Sequence, residues 1–133
     1  MDTLASVPLF SACSERELQT IAKCADHVQA PPGTMLVTQG ATGDEFFVIL
    51  DGSARVERNG TKVSSLGPGN FFGDLALLDR APRNASVIAD TPMELARLGQ
   101  KSFDQLIELP GFSKKLLAGL ARRLREHDSK SLG

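Results

Sequence analysis

The chain has 133 residues, 15 of them basic and 16 acidic, for a net charge of −1. That length suits a single domain that buries roughly two thirds of its unfolded surface without disulfides or a structural metal. The near balance of charge supplies no global field to gather nucleic acid or an anionic membrane, so any partner is recognised locally.

The opening "MDTLASVPLF" lacks the basic region and long apolar core of a signal peptide, and the longest apolar run, "FFVIL", is too short to span a bilayer. In "SERELQTIAKCA", residues 14–25, Ser14 is placed to cap a helix. Glu17 three positions later completes a capping box, and Leu18, Ile21 and Ala22 share one face. Leu9 and Phe10 lie just outside this helix, where they can pack back on the body of the domain. Cys13 and Cys24 flank it, too far apart to meet within one molecule, which fits a reduced, cytoplasmic setting.

From about residue 29 to 98 short apolar runs alternate with turn signals: "PPG", "ATGD", "DG", "NG" and "GPG". Strands are expected at "TMLVT", "EFFVIL", "SARVER", "TKVSSL", "NASVIA" and "MELARL", building a rolled, double-sheet β structure. Asn59-Gly60 suits a tight hairpin turn, which places Val56 and Val63 on facing strands. Helix returns after residue 98. Ser102 is expected to cap "FDQLIEL", and Pro110 to open a long helix at its first turn. In that helix Phe112, Leu116, Leu117, Leu120 and Leu124 recur at three- and four-residue spacing, so its apolar face must cover the roll, a ligand or a partner helix. A homodimer through this helix is one expectation.

The stretch "FFGDLALLDRAPRNAS", 71–86, interrupts the β texture. Gly73 allows close backbone approach, and "DLALL" is a helix former of barely one turn, whose leading N–H groups suit an anion. Arg83 precedes an apolar strand, where a guanidinium needs a carboxylate or phosphate partner. Two readings follow: a structural ion pair with Asp74 or Asp79, or a ligand carrying both a phosphate and a sugar hydroxyl. Arg80 reads as a solvated charge.

With those residues in view, "FFGDLALLDRAPRNASV" resembles the phosphate-binding cassette of cyclic nucleotide-binding domains, and the resemblance extends over nearly the whole chain. It implies a mainly β fold with flanking α-helices, a jelly-roll-like β-roll (double-stranded β-helix). A helical N-terminal segment (1–28), a roll (29–98) holding the cassette (72–85), and C-terminal helices (99–133) would form one domain. It implies a ligand, cAMP or cGMP with cAMP favoured, and no cofactor, metal or catalytic residue. Arg83, with Asn84 and the amides of Leu75 and Ala76, would hold the cyclic phosphate. Gly73 and Asp74 would meet the ribose, with Asp74 accepting from its 2′-hydroxyl. Val56, Val63 and Ser64 would line base and sugar, and Leu120, Arg123, Leu124 or His127 would form a lid.

The chain departs from the family pattern at Asp74, usually glutamate, and at Asn84, usually a smaller residue. The resemblance therefore implies a non-enzymatic sensor whose C-terminal helices rearrange on binding, the alternative being a ligand-free scaffold for protein interaction. With no room for a helix-turn-helix before Gly133, direct DNA binding is not expected, and the output would fall to an effector protein or a segment outside this chain. A metal-dependent β-roll enzyme would need several converging ligands, which His27 and His127 do not supply.

Overall fold

A computed structural model describes residues 7–73 and 82–132, the side chains of 123, 124 and 126–132 excepted. A 3₁₀ turn, Pro8–Phe10, leads into helix α1, Glu15–Cys24. The strands follow as β1 Asp26–Ala30, β2 Met35–Val37, β3 Glu45–Asp51, β4 Ala54–Arg58, β5 Thr61–Leu66, β6 Phe71–Phe72, β7 Ser86–Ala89 and β8 Met93–Gly99. Helices α2, Gln100–Leu106, and α3, Pro110–Leu132, close the chain. The strands form two antiparallel sheets with orders β1-β8-β3-β6 and β2-β7-β4-β5. The chain passes back and forth between the sheets, which makes the expected roll.

The uninterrupted apolar run in β3 has a direct cause: its sheet is covered on both faces. Side chains alternate across a strand, so Phe46 and Val48 face one way and Phe47 and Ile49 the other. Phe46 and Val48 join Ala96 and Leu98 of β8 in a core shared with Leu9, Phe10, Ile21, Phe103 and Phe112 of the helical layer. Phe47 and Ile49 join Leu95, Ala54 and Val87 in a second core between the sheets. Phe47 stacks on Phe72 with ring centres 5.0 Å apart. Phe46 lies 5.8, 5.2 and 6.3 Å from the rings of Phe71, Phe103 and Phe112, tying the sheet to both closing helices. Here α3 comes so close to β6 that a methyl group at Gly119 would sit 2.8 Å from the Phe71 ring.

The capping box at Ser14 is formed. Its hydroxyl accepts from the Glu17 N–H at 3.1 Å, and its own N–H donates to Glu17 Oε1 at 2.8 Å. Ser14→Ala is expected to lower stability by about 1 kcal/mol, read by chemical denaturation, while leaving the roll intact. Cys13 and Cys24 are unbridged and half-buried. Burial, and then the Glu17 carboxylate, push the Cys13 thiol up from its ordinary range.

Several expectations are corrected. The helix expected over 14–25 is present, but the helical segment drawn as 1–28 overlaps β1, whose mostly exposed sequence DHVQA gives little apolar alternation and becomes a strand by pairing with β8. β6 has only two residues, below the reach of a periodic signal. α2 starts at Gln100 with Gly99 as its cap residue, not after Ser102, because β8 feeds directly into it and Phe103 and Leu106 must reach the core. Leu117 stands off the buried stripe of α3, 66% exposed, whereas Phe112 and Leu116 are buried. No described helix is long and apolar enough to cross a membrane.

Candidate functional site

Arg83 is the buried charged residue among the described residues, with 8% of its surface exposed. Such a group is tolerated inside a protein only with hydrogen-bond partners. Its Nη1 donates to the Gly73 carbonyl at 2.9 Å and its Nη2 to the Glu45 carbonyl at 2.8 Å. Both acceptors are backbone carbonyls, and these bonds orient the planar fork. One comes from the start of β3 and the other from the end of the β6 segment, so the guanidinium bridges two parts of one sheet.

Two glycines make room for it. Gly73 has φ +89°, a left-handed conformation that side chains disfavour, and a Cβ there would lie 2.6 Å from the Glu45 carbonyl and 2.9 Å from Arg83 Nη1. A Cβ on Gly43 would lie 2.6 Å from Arg83 Nη2. The backbone on either side is fixed as well. Gly40 N–H donates to the Arg83 carbonyl at 2.8 Å, and the Arg83 N–H donates to the Ala41 carbonyl at 2.9 Å. The loop between β2 and β3 therefore brackets the arginine.

The β4–β5 hairpin of the second sheet lies beside this segment. Across β4 and β5, buried Ala54 pairs with Leu66, and half-buried Val56 pairs with exposed Ser64. Burial thus falls toward the hairpin tip. Val56 also pairs with Val87, four residues beyond Arg83, and Arg58 at the tip donates to the Asn84 carbonyl at 3.1 Å. The hairpin tip therefore adjoins the chain immediately after the arginine.

Of the expected site residues, Gly73 accepts from Arg83, Asn84 follows Arg83 in the chain and is exposed, and Val56 and Ser64 pair with each other on β4 and β5. Val56 and Val63 lie on the facing strands β4 and β5, as expected; the register sets Val56 opposite Ser64, and Val63, 45% exposed, faces no residue of β4 because a register shift between Val56 and Glu57 skips it. Leu120 packs against the helical core, whereas Val56 packs against the core between the sheets, so these two are not brought together. Arg123, Leu124 and His127 fall within α3. Asp74, Leu75, Ala76, Asp79 and Arg80 lie outside the described residues. Gly43, the Glu45 carbonyl and the loop residues Gly40 and Ala41 join the site without having been expected there. Their turn-forming composition is the signal that the sequence carries for them. Among the described residues no three His, Cys, Asp or Glu side chains converge as metal ligands. His27 instead lies 4.0 Å from Glu94 on the neighbouring strand.

Known proteins bear on this arrangement. The chain is 40% identical over 106 residues to the cAMP-dependent protein kinase regulatory subunit of Aspergillus fumigatus, covering 78% of this chain and 26% of that protein. It thus spans about a quarter of the length of that relative. Among solved structures, the catabolite activator protein of Thermus thermophilus superposes with a TM-score of 0.82 at 33% identity, over 92% of this chain and 61% of that one. The regulatory domain of Toxoplasma gondii PKA, crystallised with cAMP, superposes with a TM-score of 0.78 at 30% identity, over 92% of this chain and 48% of that one. The cyclic nucleotide-binding domain model matches residues 27–109, which take in every strand of both sheets apart from Asp26, together with the bracketed arginine. With the roll, the glycine-lined arginine and this match in agreement, the chain belongs to the cyclic nucleotide-binding domain family.

Proposed function

We propose that this domain binds a cyclic nucleotide, cAMP in preference to cGMP, at the open end of its roll and acts as a non-enzymatic regulatory module. The observation that carries the reading is Arg83: a guanidinium 8% exposed, held by two backbone carbonyls between two glycines. A planar, permanently charged fork fixed in this way suits the exocyclic oxygens of a cyclic phosphate. The amides of Leu75 and Ala76 and the side chain of Asn84 would complete the phosphate seat. Asp74 would accept from the ribose 2′-hydroxyl, and Val56, Ser64 and the bulged Val63 would flank the sugar and base.

The signal would travel through the helical layer. Phe71 adjoins the cassette and packs on Phe46, and α3 approaches its ring at Gly119. A cassette that moves on binding would therefore press on α3. Leu120, now in the helical core, could cover the base with Arg123 or Leu124 only after α3 shifts; binding energy gained in that closed state alone would drive the change. The relatives named as regulatory subunits of a kinase support an output on another protein, reached directly or through further chain.

Calorimetric titration of the purified chain with cAMP and cGMP tests the reading. Saturable binding of cAMP at one site, tighter than that of cGMP, is the expected result. Absence of heat and of any thermal shift with either nucleotide at millimolar concentration would reject it and favour the interaction scaffold.

A further inference from the structure

The loop that brackets Arg83 is itself held from an unexpected direction, the tip of the β4–β5 hairpin. Gln39 is the node. Its side-chain Nε2 donates to Asn59 Oδ1 at 2.9 Å, and its Oε1 accepts from the Asn59 N–H at 2.8 Å, so one amide is used in both directions on one residue. Its main-chain N–H donates to Ser86 Oγ at 2.8 Å. The next residue, Gly40, donates to the Arg83 carbonyl, and Ala41 accepts from the Arg83 N–H. Asn59 takes part while in the left-handed conformation, φ 55°, as the first residue of the hairpin turn.

We infer that Gln39 and Asn59 are positioning residues for Arg83: a two-way amide clamp that locks the hairpin tip to the loop and thereby sets the backbone from which the guanidinium projects. The inference rests on the proposed phosphate-binding role of Arg83. β5 is an edge strand exposed along almost its whole length, so burial contributes little to holding this end of the sheet. The clamp supplies what burial does not. A site organised before its ligand arrives loses less freedom on binding, and that gain appears mainly as slower release.

Three variants of the full chain test it: Asn59→Gly, which keeps the left-handed turn and removes the amide; Gln39→Ala; and the double substitution. With cAMP, each single change is expected to weaken affinity about tenfold, chiefly through faster dissociation in stopped flow, since Gln39→Ala removes both hydrogen bonds of the clamp and Asn59→Gly the one accepted by Oδ1. The double variant is expected to bind no more weakly than the worse single, because the two side chains act as a unit. Without nucleotide, amide exchange at Arg83 and Gly40 is expected to quicken in Asn59→Gly, with the thermal midpoint confirming a folded protein. Wild-type affinity in both single variants, or fully additive losses in the double, would overturn the clamp. Should the wild-type chain bind no nucleotide, the phosphate reading falls by itself, and unchanged exchange at Arg83 and Gly40 in Asn59→Gly would then overturn the clamp separately.

Discussion

Arg83→Ala is expected to weaken cyclic nucleotide binding by two to three orders of magnitude while the chain still folds. Removing one partner of a desolvated, hydrogen-bonded charge pair costs about 2–5 kcal/mol of binding, and each 1.4 kcal/mol is tenfold. The variant also leaves the Gly73 and Glu45 carbonyls without the donors they now have. Stability should therefore fall by about 1–3 kcal/mol, so binding is to be measured where denaturation curves show the variant fully folded. Arg83→Lys separates charge from geometry. An ammonium keeps the positive charge but has no planar fork to reach two carbonyls and a phosphate together, so its affinity should lie between those of wild type and alanine. Titration calorimetry on all three proteins decides the point, and lysine binding as tightly as arginine would show that the fork is not what the site uses.

Gly73→Ala is expected to damage both fold and site. The residue sits at φ +89°, and the added methyl group would meet the Glu45 carbonyl at 2.6 Å and Arg83 Nη1 at 2.9 Å. Backbone strain of about 1–3 kcal/mol and overpacking of similar size act at once. A loss of about 2–5 kcal/mol in chemical denaturation is the expected result, with nucleotide affinity falling further because the guanidinium is the movable neighbour. Gly33→Ala provides the control. Gly33 has φ +87°, but a methyl group added there would meet nothing within 4 Å, so the substitution measures conformational strain alone. If the two substitutions cost the same, the contact at Gly73 contributes nothing and the close approach to Arg83 is not what requires glycine there.

Much of the architecture was legible because local chemistry and tertiary need coincide. The Ser14–Glu17 box marks a helix start wherever the helix later docks, and Asn59-Gly60 forms a left-handed pair whatever strands it joins. Pro110 opens α3 where its fixed φ suits a first turn. By contrast β1 and β6 were not legible as strands, and the start of α2 was misplaced. Each is made by a neighbour: β1 by its ladder to β8, β6 by its short pairing with β3, and α2 by the strand that runs into it.

The candidate site divides along the same line. Arg83 and Gly73 stand out in the sequence, because a lone arginine before an apolar strand and a glycine at the edge of a short helical run are unusual residue choices with few local explanations. From the residues alone Arg83 had two readings, an ion pair with Asp74 or Asp79, which lie outside the described residues, or a ligand site, with the cassette around it favouring the second. Only the tertiary structure decided that its guanidinium rests on carbonyls from residues 45 and 73, that Gly43 clears its space, and that Gln39 reaches across to Asn59. The hydrogen bonds among them join residues 10 to 38 positions apart in the chain. Residue type announces that a group needs a partner, but which partner it finds depends on strand register and sheet order, which arise from packing the whole core at once.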